Sequence, residues 1–285
     1  MKQYEIVTGP LPPLEAADAA VFTRETIVNI AAKHGLHATF SPRVYSHTCN
    51  FSVFHPRVKL LNMLATGGTA AHIHISIHPT SQPPAKAPAA NPNTNKKTTM
   101  TRLERSFLQS LLEKLPSSTA FTLPTEASYD RVQDRIWSCG THACWGIDNR
   151  EAAVRLTGPP GGHHFEVRSV DGTANPHIAF ATLLGLGLIG IEKGLELRIE
   201  EVDDSAVDLS AEERERKGII GRFERTLSAA RDLARRDNAI NDVLGKEFVQ
   251  KYLSVNEVCD FLLEGASLSR SRRLTIAIDR LWRSS

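Results

Sequence analysis

The feature that most constrains the fold is a pair of short segments in which apolar and polar side chains alternate. The first covers residues 154–156, and the second runs from His164 to Arg168. Because successive side chains of a strand point to opposite faces, the apolar residues of both segments can enter a core while the polar residues share the other face. The second segment then presents Glu166 between two cationic or ligand-capable groups. Two neighbouring strands of this kind predict one polar wall of a cleft that can hold a metal ion and a polyanion.

A third segment, Ala71–His78, alternates with the same regularity. Its isoleucines fall on one face, and its histidines and Ser76 fall on the other. A period of two over this length is typical of a half-buried strand. Shorter strands are predicted at Tyr4–Val7 and at Ala38–Phe40.

Apolar residues at helical spacing, together with helix-ending residues, predict the helical part of the chain. Gly35 follows one such pattern, Pro116 ends another, and Asn175 with Pro176 has the form of a helix cap followed by proline in the first turn. The helix after this cap is apolar nearly all round and should be buried. The predicted helices are residues 16–33, 103–115, 176–195, 222–235 and 245–263.

Residues 79–99 differ from their surroundings, because they are rich in Pro, Ala, Asn and Lys and have no apolar periodicity. Core-like segments lie on both sides of them. A flexible, low-complexity surface insertion is therefore predicted here rather than a boundary between domains.

Charge balance and cysteine content narrow the class of protein. Basic and acidic residues number 34 and 32, which argues against binding a nucleic acid by phosphate neutralisation. The four cysteines form no CxxC pair, so reduced thiols are expected. The longest apolar run, Ile178–Ile191, is too short to span a bilayer, and the first residues lack the pattern of a signal peptide. These features predict a soluble cytoplasmic protein without a membrane or nucleic-acid partner.

Three residues on predicted strands are candidate ligands of a divalent cation: Glu5, His72 and Glu166. Mixed oxygen and nitrogen ligands favour Mg²⁺ or Mn²⁺ over a metal held by thiolates. Each residue taken alone is better explained as an ordinary polar residue, so the metal site rests on the three occurring together.

Arginines accompany these candidate ligands at positions 150, 155 and 168. The planar guanidinium group makes forked contacts with phosphate or carboxylate, and near a metal-bound carboxylate it can neutralise a transferring phosphoryl group. The alternative interpretation is a set of salt bridges between neighbouring strands.

Taken together, ordered motifs along the chain resemble the catalytic domain of type I glutamine synthetases. The match covers nearly the whole sequence and is interrupted by residues 79–99. The motifs are Gln3–Ile6, Ala31–Phe40, Gly67–Ser76, Pro124–Arg131, Asn149–Pro176 and the C-terminal pair Asp208–Arg214 and Leu244–Leu253. Trp137-Ser138 and Val170–Pro176 are most similar to the glutamine-synthetase-like half of certain fungal developmental proteins.

The resemblance implies an α+β fold, in which a curved, mainly antiparallel sheet lines a cleft and helices pack outside it. Residues 1–285 would form one partial catalytic domain. The implied reaction uses ATP to phosphorylate the side-chain carboxylate of glutamate, and ammonia then displaces phosphate from the acyl phosphate. Such a ligase serves glutamine biosynthesis and nitrogen metabolism, with Mg²⁺ or Mn²⁺ as cofactor, and a full-length chain would form a homo-oligomer.

Roles of individual residues also follow from the resemblance, by matching position. The metal ligands would be Glu5, His72 and Glu166. The nucleotide would contact His74, Ser76 and Arg155. Glutamate and its phosphorylated form would contact Gly67, Gly68, Arg131, Arg150 and Arg168, and of these Arg150 and Arg168 would also be catalytic.

The chain departs from the family pattern in several places. The β-grasp domain and the strand with further metal ligands would precede Met1, which predicts an N-terminally truncated chain. Residues 136–140, at the position of the family's flap, contain no glutamate, and His164 and Ala127 replace an arginine and an asparagine. These departures leave a second hypothesis, a pseudoenzyme or developmental signalling module that keeps the fold. In an active enzyme, the acid and the amine need not be glutamate and ammonia.

Overall fold

The computed structural model describes residues 4–42, 70–78 and 99–268. Within these ranges, helices surround a small mixed sheet. The helices are α1 (Pro13–Lys33), α2 (Arg102–Thr122), α3 (Glu126–Arg131), α4 (Pro176–Lys193), α5 (Ala211–Arg216), α6 (Leu227–Arg236), α7 (Asn238–Leu244) and α8 (Lys246–Leu268), and the strands are β1 (Ile73–Ile75), β2 (Trp145–Ile147), β3 (Val154–Thr157) and β4 (His164–Val167).

The four strands form one sheet in the order β1-β4-β3-β2. Strand β4 is antiparallel to both of its neighbours, and β2 runs parallel to β3. Val154, Leu156, Phe165 and Val167 are buried, as the alternation predicts. Phe165 stacks on Phe107 of α2 with ring centroids 5.8 Å apart, which places α2 on the apolar face of the sheet. The predicted strands of this region and their mainly antiparallel pairing are confirmed.

Helix α4 begins at the predicted cap. The side chain of Asn175 accepts hydrogen bonds from the backbone N–H groups of His177 at 3.0 Å and Ile178 at 3.4 Å. Helix α4 packs against α1, α2 and α7. These helices cover only part of its circumference, since Leu188 is 55% exposed among the described residues. The prediction of a helix buried all round is therefore wrong.

Small residues let α2 and α4 approach closely. A Cβ atom at Gly190 would lie 2.0 Å from the backbone oxygen of Ser106, and one at Gly187 would lie 2.1 Å from the ring of Phe107. In the same contact, the hydroxyl of Ser110 donates to the backbone oxygen of Leu186 at 2.6 Å. The two helices and the sheet thus share one apolar core.

Helix α2 continues past Pro116, so the predicted end of this helix at that residue is wrong. Proline lacks the N–H that an interior helical residue donates, which normally disfavours continuation. Residues 117–122 are all buried, however, and the ring of Phe121 is fully enclosed. Burial of this last part of the helix offsets the missing hydrogen bond, a tertiary effect that local sequence does not reveal.

Two predicted strands are not formed, and a third is shorter than predicted. Tyr4–Val7 and Ala38–Phe40 have no regular secondary structure. Of Ala71–His78, only Ile73–Ile75 pairs, with β4. A strand requires a neighbouring ladder for its backbone groups, and within the described residues the first two segments have none.

The other three predicted helices are formed at the predicted positions, but their first and last residues differ. The predicted helix 16–33 is confirmed as α1. The one predicted from residue 222 begins at Leu227, because the side chain of Thr226 caps it by accepting from the N–H of Ala229 at 3.2 Å. Helices α3, α5 and α7 were not predicted, and α8 extends beyond residue 263.

None of the helices in the described ranges is long and apolar enough to cross a membrane. Residues 79–98 lie outside those ranges, so the predicted insertion stays a prediction. Thr99 follows directly, and its hydroxyl lies 2.9 Å from Nε2 of His163.

Replacing Gly190 with alanine is expected to lower the free energy of unfolding by about 1–3 kcal/mol, because the new Cβ meets a backbone oxygen that no side-chain rotation can move away. The better helix propensity of alanine, worth about 1 kcal/mol, offsets only part of this loss. Urea unfolding measures the difference. The matched control is Gly9→Ala, where a Cβ would meet nothing within 4 Å, and an equal loss there would contradict the close approach.

Candidate active site

The register of the sheet gathers polar side chains at its centre. Glu166 of β4 lies opposite His74 of β1 on one side and opposite Arg155 of β3 on the other. Because strand side chains alternate, this row faces away from the apolar side that contacts α2. His72, before β1, and Arg168, after β4, extend the same row. We call Glu166, His72, Arg155 and Arg168 the Glu166 centre.

Three side chains contact the carboxylate of Glu166. Its Oε1 lies 2.8 Å from Nδ1 of His72 and also accepts from Nη1 of Arg168. Its Oε2 accepts from Nη1 of Arg155 at 2.9 Å, which joins β3 to β4 as the salt-bridge interpretation requires. Arg155 also donates Nη2 to Asp148 at 3.3 Å. Glu166 and Arg168 are only 3% and 4% exposed, so these charges interact in the interior.

The surroundings of Glu166 keep it ionised. Burial by itself raises the pKa of a carboxyl group, but here the hydrogen bond with His72 and the charges of Arg168 and Arg155 outweigh it and lower the pKa of Glu166 to about 2. Burial lowers the pKa of His72 below its ordinary value, against the opposing effect of Glu166. His72 is therefore neutral near pH 7, and the centre carries one more positive than negative charge among Glu166, Arg155 and Arg168.

Several nitrogen atoms of the centre have no hydrogen-bond partner within the described part of the chain. Nδ1 of His72 faces a carboxylate oxygen and therefore carries the proton, which leaves the lone pair on Nε2. This Nε2 atom is buried without a hydrogen-bond partner among the described residues, as are the Nε atoms of Arg155 and Arg168. Buried polar atoms are normally paired, so these atoms have free capacity for a ligand. A lone pair on imidazole suits a divalent cation and guanidinium groups suit an anion, so the residues fit both.

Glu5, the third predicted metal ligand, is exposed in the segment before α1. It does not join His72 and Glu166, since the described part of the chain contains no group of three His, Cys, Asp or Glu side chains placed to hold a metal ion. The segment of Glu5 is not a strand of the described sheet, and its predicted role as a metal ligand stays a prediction. Gly67 and Gly68 lie outside the described residues, and their predicted role in substrate binding stays a prediction.

The predicted nucleotide residues border the centre on the β1 side. His74 and Ser76 are exposed, and the ring of His74 lies 5.0 Å from that of His164 at a tilt of 46°. Burial of part of the ring lowers the pKa of His74. The two residues are accessible to a ligand beside Arg155, although no contact yet assigns them a role.

The two remaining arginines occupy different environments. Arg131 is 1% exposed and donates Nη2 to the backbone oxygens of Ser138 at 2.9 Å and Arg168 at 3.3 Å, so it links α3 to the end of β4. Arg150 is exposed on the turn between β2 and β3. Arg131 thus contacts the backbone of Arg168, and Arg150 precedes β3, the strand of Arg155. Their predicted contacts with substrate stay predictions.

A loop beside the centre overlaps residues 136–140, the predicted position of the family's flap, but its contacts were not predicted. The carboxylate of Glu151 is buried and accepts backbone hydrogen bonds from Arg135 at 2.7 Å and from Trp137. The backbone oxygen of Trp137 in turn accepts from Nη2 of Arg168 at 2.9 Å. Because the partners are backbone groups of a loop, no periodicity in the sequence signals them. In the sequence, the one signal for Glu151 was its position directly after Asn149 and Arg150, which belong to a family motif.

Fold and centre together define an α+β protein whose buried carboxylate, paired with two arginines and a histidine, can bind charged ligands. The family model described as glutamine synthetase, catalytic domain, matches residues 1–261. The chain therefore belongs to the glutamine synthetase family, a family of ligases.

Curated relatives agree with this assignment. The chain is 32% identical to Protein fluG of Emericella nidulans over 253 residues, which are 89% of the chain and 24% of fluG. It is 29% identical to gamma-glutamylpolyamine synthetase GlnA3 of Streptomyces coelicolor, over 89% of the chain and 50% of that protein. It is also 29% identical to a glutamine synthetase of Methanocaldococcus jannaschii, over 85% and 48%. The chain thus spans about half or less of the length of these relatives.

Solved structures support the same fold. A structure of GmaS in complex with ADP matches 94% of this chain and 55% of its own, with a TM-score of 0.67 and 21% identity. GmaS without ligand matches 86% and 50%, with a TM-score of 0.62 and 22% identity. The predicted family, its catalytic-domain fold and the likeness to a fungal member are thus confirmed.

Replacing Glu166 with glutamine is expected to destabilise the protein by about 3 kcal/mol at pH 7, because it leaves the buried guanidinium group of Arg168 without its counter-charge and removes one of the two carboxylates that Arg155 contacts. A carboxyl group whose pKa is lowered by folding stabilises the fold above its unfolded pKa. This stabilisation is lost as the pH falls through the folded value. The gap between wild type and variant should therefore narrow from about pH 5 towards pH 2.

Urea unfolding at a series of pH values measures this gap. Glu113→Gln is the matched control, since Glu113 is exposed on α2 and accepts one hydrogen bond, from Gln109. A gap for Glu166→Gln that stays constant with pH would contradict the ionised, buried state of Glu166.

Proposed function

We propose that this chain acts in an ATP-dependent ligase that joins an acid, glutamate or a related compound, to ammonia or an amine through an acyl phosphate. The observation that carries the proposal is the Glu166 centre. It holds the guanidinium groups of Arg155 and Arg168 next to one carboxylate, and Nε2 of its neutral imidazole has no hydrogen-bond partner among the described residues. Family membership supplies the reaction class.

The guanidinium groups would bind the anionic partners. The Nε atoms of Arg155 and Arg168 have no hydrogen-bond partner among the described residues, and both guanidinium groups contact Glu166. A ligand carboxylate or phosphoryl group would supply a second negative partner to Arg168, which shares Glu166 with Arg155. Fixed charges in a water-poor site stabilise developing negative charge strongly, because no reorganisation is needed during the reaction. Arg150, on the adjacent turn, and Arg131 are proposed to complete the binding of the acid, with Gly67 and Gly68.

Mg²⁺ or Mn²⁺ is the proposed cofactor, and when bound it would neutralise phosphate charge. His72 would hold it through Nε2, and Glu166 fits as its direct ligand or as the carboxylate that orients the imidazole through Nδ1. The proposed set also includes Glu5. Next to this position, His74, Ser76 and Arg155 are proposed to contact ATP.

The amine and the cellular setting are also proposals. The relative GlnA3 is named for a polyamine, and other relatives are named for glutamine synthesis, so both an organic amine and ammonia are candidates. We propose small-molecule substrates, a cytoplasmic location, participation in nitrogen metabolism and assembly into a homo-oligomer in the full-length protein.

One observation favours a second candidate function. The described residues bring together two metal-binding side chains at the centre, His72 and Glu166, and no group of three. A module that keeps the fold and binds nucleotide without turnover, a pseudoenzyme or developmental signalling module, fits this smaller set.

Replacing Arg155 with glutamine is expected to reduce formation of ADP from ATP, in the presence of Mn²⁺, glutamate and an amine, by about 10²–10³-fold, since a guanidinium contact to the transferred group is lost. The assay uses the purified chain and compares ammonia with a polyamine. Arg235→Gln is the matched control, because the carboxylates that Arg235 pairs with in the described ranges, those of Asp232 and Glu257, lie on the surface. Its rate should equal that of the wild type.

The assay also separates the two candidate functions. ADP formation that requires both acid and amine supports the ligase. Calorimetric binding of ADP and Mn²⁺ that is lost in His72→Ala, without turnover, supports the module. A chain that does neither would overturn both.

A further inference from the structure

Glu151 is a buried carboxylate to which the proposed reaction gives no role. It lies between β2 and β3 and is 7% exposed. Both of its oxygens accept backbone hydrogen bonds from one short loop. Oε2 accepts from the N–H of Arg135 at 2.7 Å, and Oε1 accepts from the N–H of Trp137.

The loop adopts a backbone conformation that its residues disfavour. The φ angles are 63° at Arg135 and 58° at Trp137, in the left-handed region that glycine occupies readily and bulky residues rarely do. Such a conformation persists only where the surrounding structure imposes it. The carboxylate of Glu151 holds the N–H of each strained residue and is therefore positioned to impose it.

Glu151 is itself fixed from the opposite side. Its N–H donates to Oδ1 of Asn149 at 2.8 Å, and Nδ2 of Asn149 donates to the backbone oxygen of Val202 at 2.8 Å. The next link leads to the Glu166 centre. The carbonyl of Trp137 accepts from Nη2 of Arg168 at 2.9 Å, while Nη1 of the same guanidinium donates to Glu166.

We propose that Glu151 is a positioning residue of the Glu166 centre. By holding the loop of Arg135 and Trp137, it places the Trp137 carbonyl as the second acceptor that fixes the orientation of Arg168. Without that acceptor, Arg168 would keep its contact with Glu166 but could rotate about it. The identity of the ligand that Arg168 contacts rests on the proposed function. The chain of hydrogen bonds can be tested in the protein without a ligand.

A double-mutant cycle tests the connection. Glu151→Gln removes one acceptor and the charge, and Arg168→Lys keeps the charge but cannot reach Glu166 and the Trp137 carbonyl together. If Glu151 acts through Trp137, the two changes break the same chain. The shift in the urea midpoint of the double variant should then be clearly smaller than the sum of the two single shifts.

A merely structural role of Glu151 predicts a different result. The shifts would then add, as they should for the control pair Glu151→Gln and Asp237→Asn, since Asp237 caps α7 and shares no hydrogen-bond partner with Glu151 among the described residues. Additive shifts for the pair of Glu151 and Arg168 would overturn the proposal.

A second variant covers the case in which Glu151→Gln fails to fold. Adding Trp137→Gly should restore the folded state, because glycine adopts the positive φ without a carboxylate to hold it. Trp137 is 70% exposed, so loss of its ring removes little packing. Failure of the glycine to restore folding would mean that Glu151 does not act by holding this loop.

Calorimetry with L-glutamate in the presence of ADP and Mn²⁺ then separates this inference from the proposed function. Glu151→Gln should weaken glutamate binding about tenfold, the loss of one charge-assisted contact, and leave ADP binding unchanged. Wild-type protein that binds no glutamate would contradict the proposed function, and the cycle would still decide the role of Glu151. Equal glutamate affinity in wild type and Glu151→Gln would overturn the positioning role.

Discussion

The structure depends on one buried carboxylate shared by side chains from three places in the sheet. Glu166 contacts His72 before β1, Arg155 on β3 and Arg168 after β4. A buried ion pair adds little net stability compared with an apolar core, but removing one partner is costly, because it strands the other charge. Strand pairing, charge balance and ligand capacity are therefore linked at this residue. Among the described carboxylates, Arg168 pairs with Glu166, whereas Arg155 also contacts Asp148.

Strand β4 carries Glu166 and also the apolar residues whose packing fixes the position of this carboxylate. Phe165 and Val167 point to the opposite face, where Phe107 of α2 stacks on Phe165 at 5.8 Å. Helix α2 is held in turn by its close contact with α4, which Gly187 and Gly190 permit. A core substitution in this contact would shift β4 and thus the carboxylate. Because β4 carries both the core residues and Glu166, we expect core variants to lose stability and ligand binding together.

Relatives with this fold bear different names, from glutamine synthetase to gamma-glutamylpolyamine synthetase and fluG. A fold alone does not determine the substrate, which depends on the groups placed at the site. In this chain the loop of Arg135 and Trp137 lies beside the centre, and backbone contacts rather than periodic side chains connect it to Arg168. Differences in such loops are therefore a physical route by which members of the family can diverge in the acid or amine they accept.

The sequence by itself determined the elements whose pattern is local. Alternation fixed the faces of β3 and β4, including the polar side of Glu166 and Arg155, and Asn175 with Pro176 fixed the start of α4. Ordered motifs identified the family. These results hold because strand periodicity and capping depend on residues only a few positions apart.

Only the tertiary structure decided which elements pair and which continue. Tyr4–Val7 has strand-like composition but no neighbouring ladder among the described residues, and α2 passes Pro116 because residues 117–122 are buried. The motifs predicted one metal site for His72 and Glu166, but they did not reveal the direct contact between the two side chains, the lack of a partner for Nε2 of His72 among the described residues, or the hydrogen bonds from the loop to Glu151. Each depends on groups brought together from distant parts of the chain, and such contacts arise from the packing of the whole core rather than from any local pattern.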